Sequence, residues 1–258
     1  MVQREFEIMC KNHGFIRQAK HRYVRCIGDG IFQSIFCGFN KYIDPESPNY
    51  NPAKRKSHYI SIGIYSLFSE CWKSLFDPSE HGGGGIFAPC DFCPYDNEDA
   101  IFHGIEREYE KMAAYGFAAL NNINSQETFL DFYSKTKSSR SGGRIHSLSL
   151  VEPFLITGHV EDALIELSFH FTHTCIGRTI SRTNATNACT NVSVTKQNEQ
   201  LLRELEPVTY LWRAIMGRQH HAVNLHLAGN YERNLNWIKE FDIPLPDDFQ
   251  KRDVFCQL

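Results

Sequence analysis

Cysteine and histidine residues offer the chain's most direct route to chemistry. Cys90 and Cys93 form a C-x-x-C step just after His81 and four consecutive glycines, in HGGGGIFAPCDFC. Zinc takes four nitrogen or sulfur ligands in a tetrahedron, and one C-x-x-C supplies two of them. The other pair would come from His81 with Cys71, or from His170, His173 and Cys175 in the stretch SFHFTHTC. No second C-x-x-C or H-x-x-x-H lies within zinc-finger range, and nine cysteines in one chain produce a single such spacing easily by chance. Redox chemistry of the thioredoxin kind would need the motif to open a helix after a strand, whereas Pro94 and the acidic DNED follow here. Residues Cys90, Cys93, His81 and His173 therefore stand as the candidate metal set.

His170 and His173 share a face only if their segment is helical. His220, His221 and His226 form a second histidine group, but consecutive side chains on a helix diverge. Known nucleophile and phosphate signatures do not occur. There is no G-x-S-x-G, the glycine run lacks the Lys-Ser/Thr of a phosphate loop, and no strand leads into G-x-G-x-x-G. Carboxylate pairs such as Glu161-Asp162 and Glu106 with Glu110 fall on polar helix faces, where solvation accounts for them.

The elements that must carry these residues begin with the run from His21 to Phe68. β-Branched and aromatic residues dominate it, and Asp29-Gly30 between two apolar stretches reads as a two-residue hairpin turn. In SHYISIGIYSLF, Ile60, Ile62 and Ile64 alternate with Tyr59, Ser61 and Gly63, the period of a half-buried strand. A meander of three or more antiparallel strands follows, needing helices to cover one face. A short helix from Gln3 to about His13 is the first candidate cover, with Phe6, Met9 and Cys10 at helical spacing, Gly14 as its left-handed cap and Phe15 making the accompanying apolar contact. The proline-rich DPESPNYNPAKRK reads as a loop.

Ile101, Ile105, Met112, Gly116, Leu120 and Ile123 mark one long amphipathic helix from about Glu98, and Ser125 caps the next helix, which carries Phe129, Leu130 and Phe132. Ser134 to Arg144, SKTKSSRSGGR, has no apolar residue and reads as a linker, dividing a sheet domain (1–133) from a mainly helical part (145–258). Two segments there resemble each other, Ile156 to Leu164 (ITGHVEDAL) and Leu227 to Leu235 (LAGNYERNL). In each, an apolar helix is expected to end at a glycine and a second helix to start from a polar turn. Ser181 to Gln200 is polar and reads either as a long surface loop or as the entry to a helix bearing Leu201, Leu202 and Leu205, which Pro207 interrupts. The expected fold class is α+β.

Composition narrows the partners. Lysine and arginine number 27 against 30 aspartate and glutamate, a formal charge of −3, so the basic balance of a dedicated nucleic-acid binder is missing. Charges from the fourth residue onward and the lack of an apolar core are not what a secretory leader would show, and no apolar run reaches the roughly 18 residues of a membrane helix. Cysteines spread without disulfide-scaffold spacing, several inside apolar strand patterns, fit a reducing cytoplasm.

The N-terminal third also carries a resemblance. Gly14-Phe15 followed by basic residues, the strand from Arg22 to Arg25, Gln33 in the next strand, and Ile60 to Ile64 look like the pattern of an uncharacterised bacterial domain-of-unknown-function family. Its members resemble accessory or immunity-type proteins, and these motif positions are structural, with no catalytic residue to carry over. The resemblance implies a cytoplasmic bacterial protein that acts by binding, with another protein as partner and no cofactor. The alternative is a metal-dependent enzyme or zinc-stabilised protein built on the Cys and His set above.

Overall fold

The computed structural model describes residues 3–41, 56–71, 76, 98–135, 148–185, 206–247, 249 and 256, with only the backbone at 39–41, 56–59, 98–102 and 173–185. The chain divides into two compact units. One comprises Met1–Leu67, Cys71–Phe129 and Arg233–Lys251; the other comprises Phe68–Glu70, Leu130–Glu232 and Arg252–Leu258. The class is α+β, with a four-stranded antiparallel sheet and a mostly helical C-terminal half.

The sheet is a meander in the order β1 (Ile16–Ala19), β2 (Arg22–Ile27), β3 (Ile31–Lys41) and β4 (Lys56–Ser66). Its first strand comes from the residues just after the Gly14-Phe15 step. Register pairs Ile35 with Ile62 and with Tyr23, so Ile60, Ile62, Ile64, Ile31 and Ile35 share one face, and all five are buried, as the alternation predicts. The turn between β2 and β3 is one residue longer than expected. Ile27 pairs with Ile31, leaving Gly28, Asp29 and Gly30 as a three-residue loop with positive φ at both glycines.

Helix α1 (Gln3–Asn12) buries Phe6 and Cys10 completely. It closes as expected: Gly14 takes φ 77°, its N–H bonds the Lys11 carbonyl and that of Phe15 the Cys10 carbonyl, which satisfies two carbonyls left over at the helix end. Phe6 stacks on Tyr109 at 4.2 Å and meets Tyr23 edge-on at 5.7 Å, joining α1, α2 and the sheet. The long helix is α2 (Glu98–Lys111), continued through a π-turn at Met112–Gly116 into α3 (Phe117–Asn121). The side chain of Met112, sulfur foremost, occupies the space where a Cβ on Gly116 would lie.

The sheet's second face is covered as well, a difference from the expected single cover. Phe32 on that face packs against Phe76 at 4.9 Å, and Phe76 against Trp237 at 5.8 Å. Val24 and Cys26, of the same parity as Phe32 in the register, are buried too.

In the other unit, a 3-10 turn (Leu148–Leu150) leads into α5 (Val151–Ile156), followed by α6 (Val160–Ala185), α7 (residues 206–216) and α8 (His220–Glu240), which runs on into the sheet unit. The turn at Ile156 to Leu164 forms as read: Gly158 takes φ 81° between α5 and α6. Its look-alike does not. Leu227 to Leu235 lies inside α8, and Gly229 is an exposed helical residue with no neighbour within 4 Å of its missing Cβ. The turn before α8 is instead made at Arg218, φ 49°, where Arg218 N–H reaches the Ile215 carbonyl and Gln219 N–H the Ala214 carbonyl. Pro207 is the second described residue of α7, and Leu201, Leu202 and Leu205, on the helix that it is expected to interrupt, lie outside the described residues. Ser134 and Lys135, the expected start of a linker, belong to α4 (Gln126–Lys135); residues 136–144 lie outside the described part.

Candidate functional site

Among the described residues, two polar arrangements and one apolar groove hold side chains able to do something beyond packing. The first lies in the sheet unit and gathers the motif residues of the N-terminal third. Gln33, fully buried on β3, donates from Nε2 to the carbonyls of Leu120 (2.9 Å) and Ile123 (3.0 Å) at the end of α3. Its Oε1 accepts from Arg25 Nε at 2.9 Å, while Arg25 Nη1 donates to the His13 carbonyl at the end of α1. The guanidinium lies 4.3 Å over the ring of Phe15, and burial lowers its pKa to about 10. A buried charge is stabilised here by two acceptors and an aromatic face, and its bonded groups are structural. Nothing in it is a nucleophile.

The second arrangement lies in the helical unit. His226 Nε2 sits 3.2 Å from Glu152 Oε1, and Asn230 Nδ2 lies 3.3 Å from the same nitrogen and 3.4 Å from the same oxygen. Asn230 Nδ2 also donates to the Phe68 carbonyl at 3.1 Å. These bonds join α5 to α8 and fix the backbone at Phe68. Sequence spacing held no sign of it, since Glu152 and His226 are 74 residues apart.

The groove runs between α6 and α7 and encloses about 300 Å³, the small end of ligand sites. Leu167 and Phe171 from α6 face Val208 and Trp212 from α7, with hydroxyls of Ser168, Thr172 and Thr209 among them and Arg213 as the charged group of the lining. Phe171 is 45% exposed and Trp212 39%. A second recess on the same stretch of α6 is lined by Leu164, Ile165, Ser168, Phe169 and Thr172. Helical spacing could have flagged this face, because Leu164, Leu167 and Phe171 recur at three and four, as do Val208 and Trp212.

The metal candidates are not brought together within the described residues. Cys90, Cys93 and His81 lie outside them, and His173 is on α6 with only its backbone described. Cys71 is buried and donates its thiol to the Ser66 carbonyl at 3.6 Å. Among the described residues no group of three His, Cys, Asp or Glu could hold a metal ion. His170 is on the same helix as His173, and burial lowers its pKa. His220 and His221 are exposed at the start of α8. Burial pushes the thiols of Cys10 and Cys26 up to about 12, which makes them poor nucleophiles. No helix among the described residues is long and apolar enough to cross a membrane. No protein-family model, curated protein or solved structure matches the chain.

Proposed function

We propose that the chain is a cytoplasmic bacterial protein of accessory or immunity type that acts by binding another protein, without catalysis, and that the groove between α6 and α7 is where it binds. The observation carrying this reading is the pair of exposed aromatics, Phe171 and Trp212, lining one apolar groove. Large rings left half in water beside apolar walls are the side chains that partners most often bury, because they add much contact area for little lost freedom. The resemblance of the N-terminal third supports the same class, and the Arg25–Gln33 network accounts for its motif residues as internal fastenings.

The test compares the parent with Phe171→Glu in affinity capture from the native host after brief cross-linking. A protein recovered in stoichiometric amount with the parent, and lost with Phe171→Glu while the melting temperature holds, supports the reading. Equal recovery with both, or none with either, overturns the groove as the binding site.

A further inference from the structure

We propose that the groove's partner segment is an amphipathic helix bearing an acidic residue beside its apolar face, seated so that the carboxylate meets Arg213. This rests on the protein-binding reading above and adds the chemistry of what binds.

Shape comes first. On α7, Val208, Trp212 and Met216 recur every four residues and so stack along one side of the helix, spanning about 12 Å at the usual rise. Met216, 57% exposed, carries this apolar line a full turn beyond the groove's own lining. On α6, Leu164, Ser168 and Phe171 follow at steps of four and then three, so they too share one side of their helix. A small molecule filling the groove would leave Met216 and the Leu164 end uncovered. A helix laid along the two lines covers all of them, the mode in which residues at i, i+3, i+4 and i+7 enter a groove.

Charge comes second. Among the described residues the lining contains one cation, Arg213, which is exposed, and no carboxylate. An acid on the incoming helix would pair with it, whereas a lysine there would be repelled.

The test uses two labelled synthetic helices of about 16 residues, long enough to be partly helical alone. They are identical except for glutamate or lysine beside the apolar stripe, and each is titrated with the full chain by fluorescence anisotropy. The glutamate peptide should bind about fivefold more tightly, the size of one partly exposed ion pair. Arg213→Gln should remove the preference and Arg213→Glu should reverse it, with Phe171→Glu weakening both peptides. If both bind the parent equally and Phe171→Glu weakens both, the acidic partner is excluded and the groove reading survives. If Phe171→Glu weakens neither, or neither binds, both fall. Binding of decanoate in an Arg213-dependent way, with no binding of either peptide, would assign the groove to a small amphiphile and overturn the proposal.

Discussion

The helix that ends at Asn121 and the helix that ends at Ile156 leave the same kind of backbone carbonyls without partners, and the two units close them differently. In the sheet unit, Asn122 and Ile123 N–H donate backward to the Ala118 and Leu120 carbonyls, and Gln33 adds a remote closure, reaching across 87 and 90 residues of chain to the carbonyls of Leu120 and Ile123. The following helix is met in the same way: Asp29 Oδ2 accepts from Gln126 N–H at 3.1 Å, and Gln126 Nε2 donates to the Asp29 carbonyl at 2.6 Å. In the helical unit, closure is local. Gly158 and His159 donate backward to Leu155 and Phe154, and no remote side chain takes part in those two bonds. A remote cap does two things at once, satisfying the helix end and fastening it to the sheet. A local cap does only the first.

Loss of the remote cap should therefore have the largest effect. Gln33→Leu puts an apolar side chain of similar size in its place but removes the side-chain donor from the Ile123 carbonyl and the acceptor from Arg25 Nε in a buried site, the Leu120 carbonyl keeping the Ile123 N–H. We expect a loss of about 3 kcal/mol, measured by urea unfolding followed by circular dichroism. A loss under about 1 kcal/mol would mean that the network is incidental to the fold.

The local cap is worth less. Gly158→Ala meets no neighbour, so its cost is that of placing a Cβ residue at φ 81°, about 1–2 kcal/mol. At Gly229, by contrast, the same change should raise stability by about 0.5–1 kcal/mol, because an exposed helical glycine with open space gains helix propensity from alanine. Thermal unfolding of the two variants side by side decides it. Destabilisation by Gly229→Ala would indicate a turn there and restore the second hairpin that the sequence suggests.

These contrasts follow what a sequence can express. The isoleucine alternation, the Gly14 cap, the Ser125 cap and the turn at Gly158 depend on residues within a few positions of one another, and each is legible. The last helix misleads because Gly229 has the look of a turn while Arg218, a residue with no such look, adopts the left-handed backbone. The loop at Gly28 is contacted from outside itself: the Asn124 carbonyl lies 2.9 Å from where a Cβ on Gly28 would be, and Asp29 is engaged by Gln126. As for the site, the aromatics of the groove sit on two helices some forty residues apart, and only packing places Phe171 beside Trp212. The metal candidates stood out in the sequence by residue type, whereas helical spacing marks each apolar face of the groove without showing that its rings stay exposed.

Helix α1 uses both kinds of closure, and its end provides the smallest expected effect. Its local cap is Gly14, and its last carbonyl, that of His13, also receives the remote Arg25. The His13 ring stacks 4.3 Å from Phe117, and its Nδ1 accepts from Asn121 Nδ2 at 3.2 Å, a role that only the neutral ring can fill. Desolvation, followed by the nearby Arg25 charge, holds the His13 pKa below its ordinary value of 6.5. The sign follows by linkage. A base whose pKa is lower in the folded state binds its proton first in the unfolded chain, so this contribution is complete above about pH 7 and is lost as the pH falls toward the folded pKa. His170 shifts in the same direction, so His13→Gln should flatten the fall in stability between about pH 7 and pH 5 only in part. Urea midpoints across that range for parent and variant measure it. Parallel profiles would show that α1 is held by its glycine cap and by Arg25 on the backbone, with the ring of His13 taking no share.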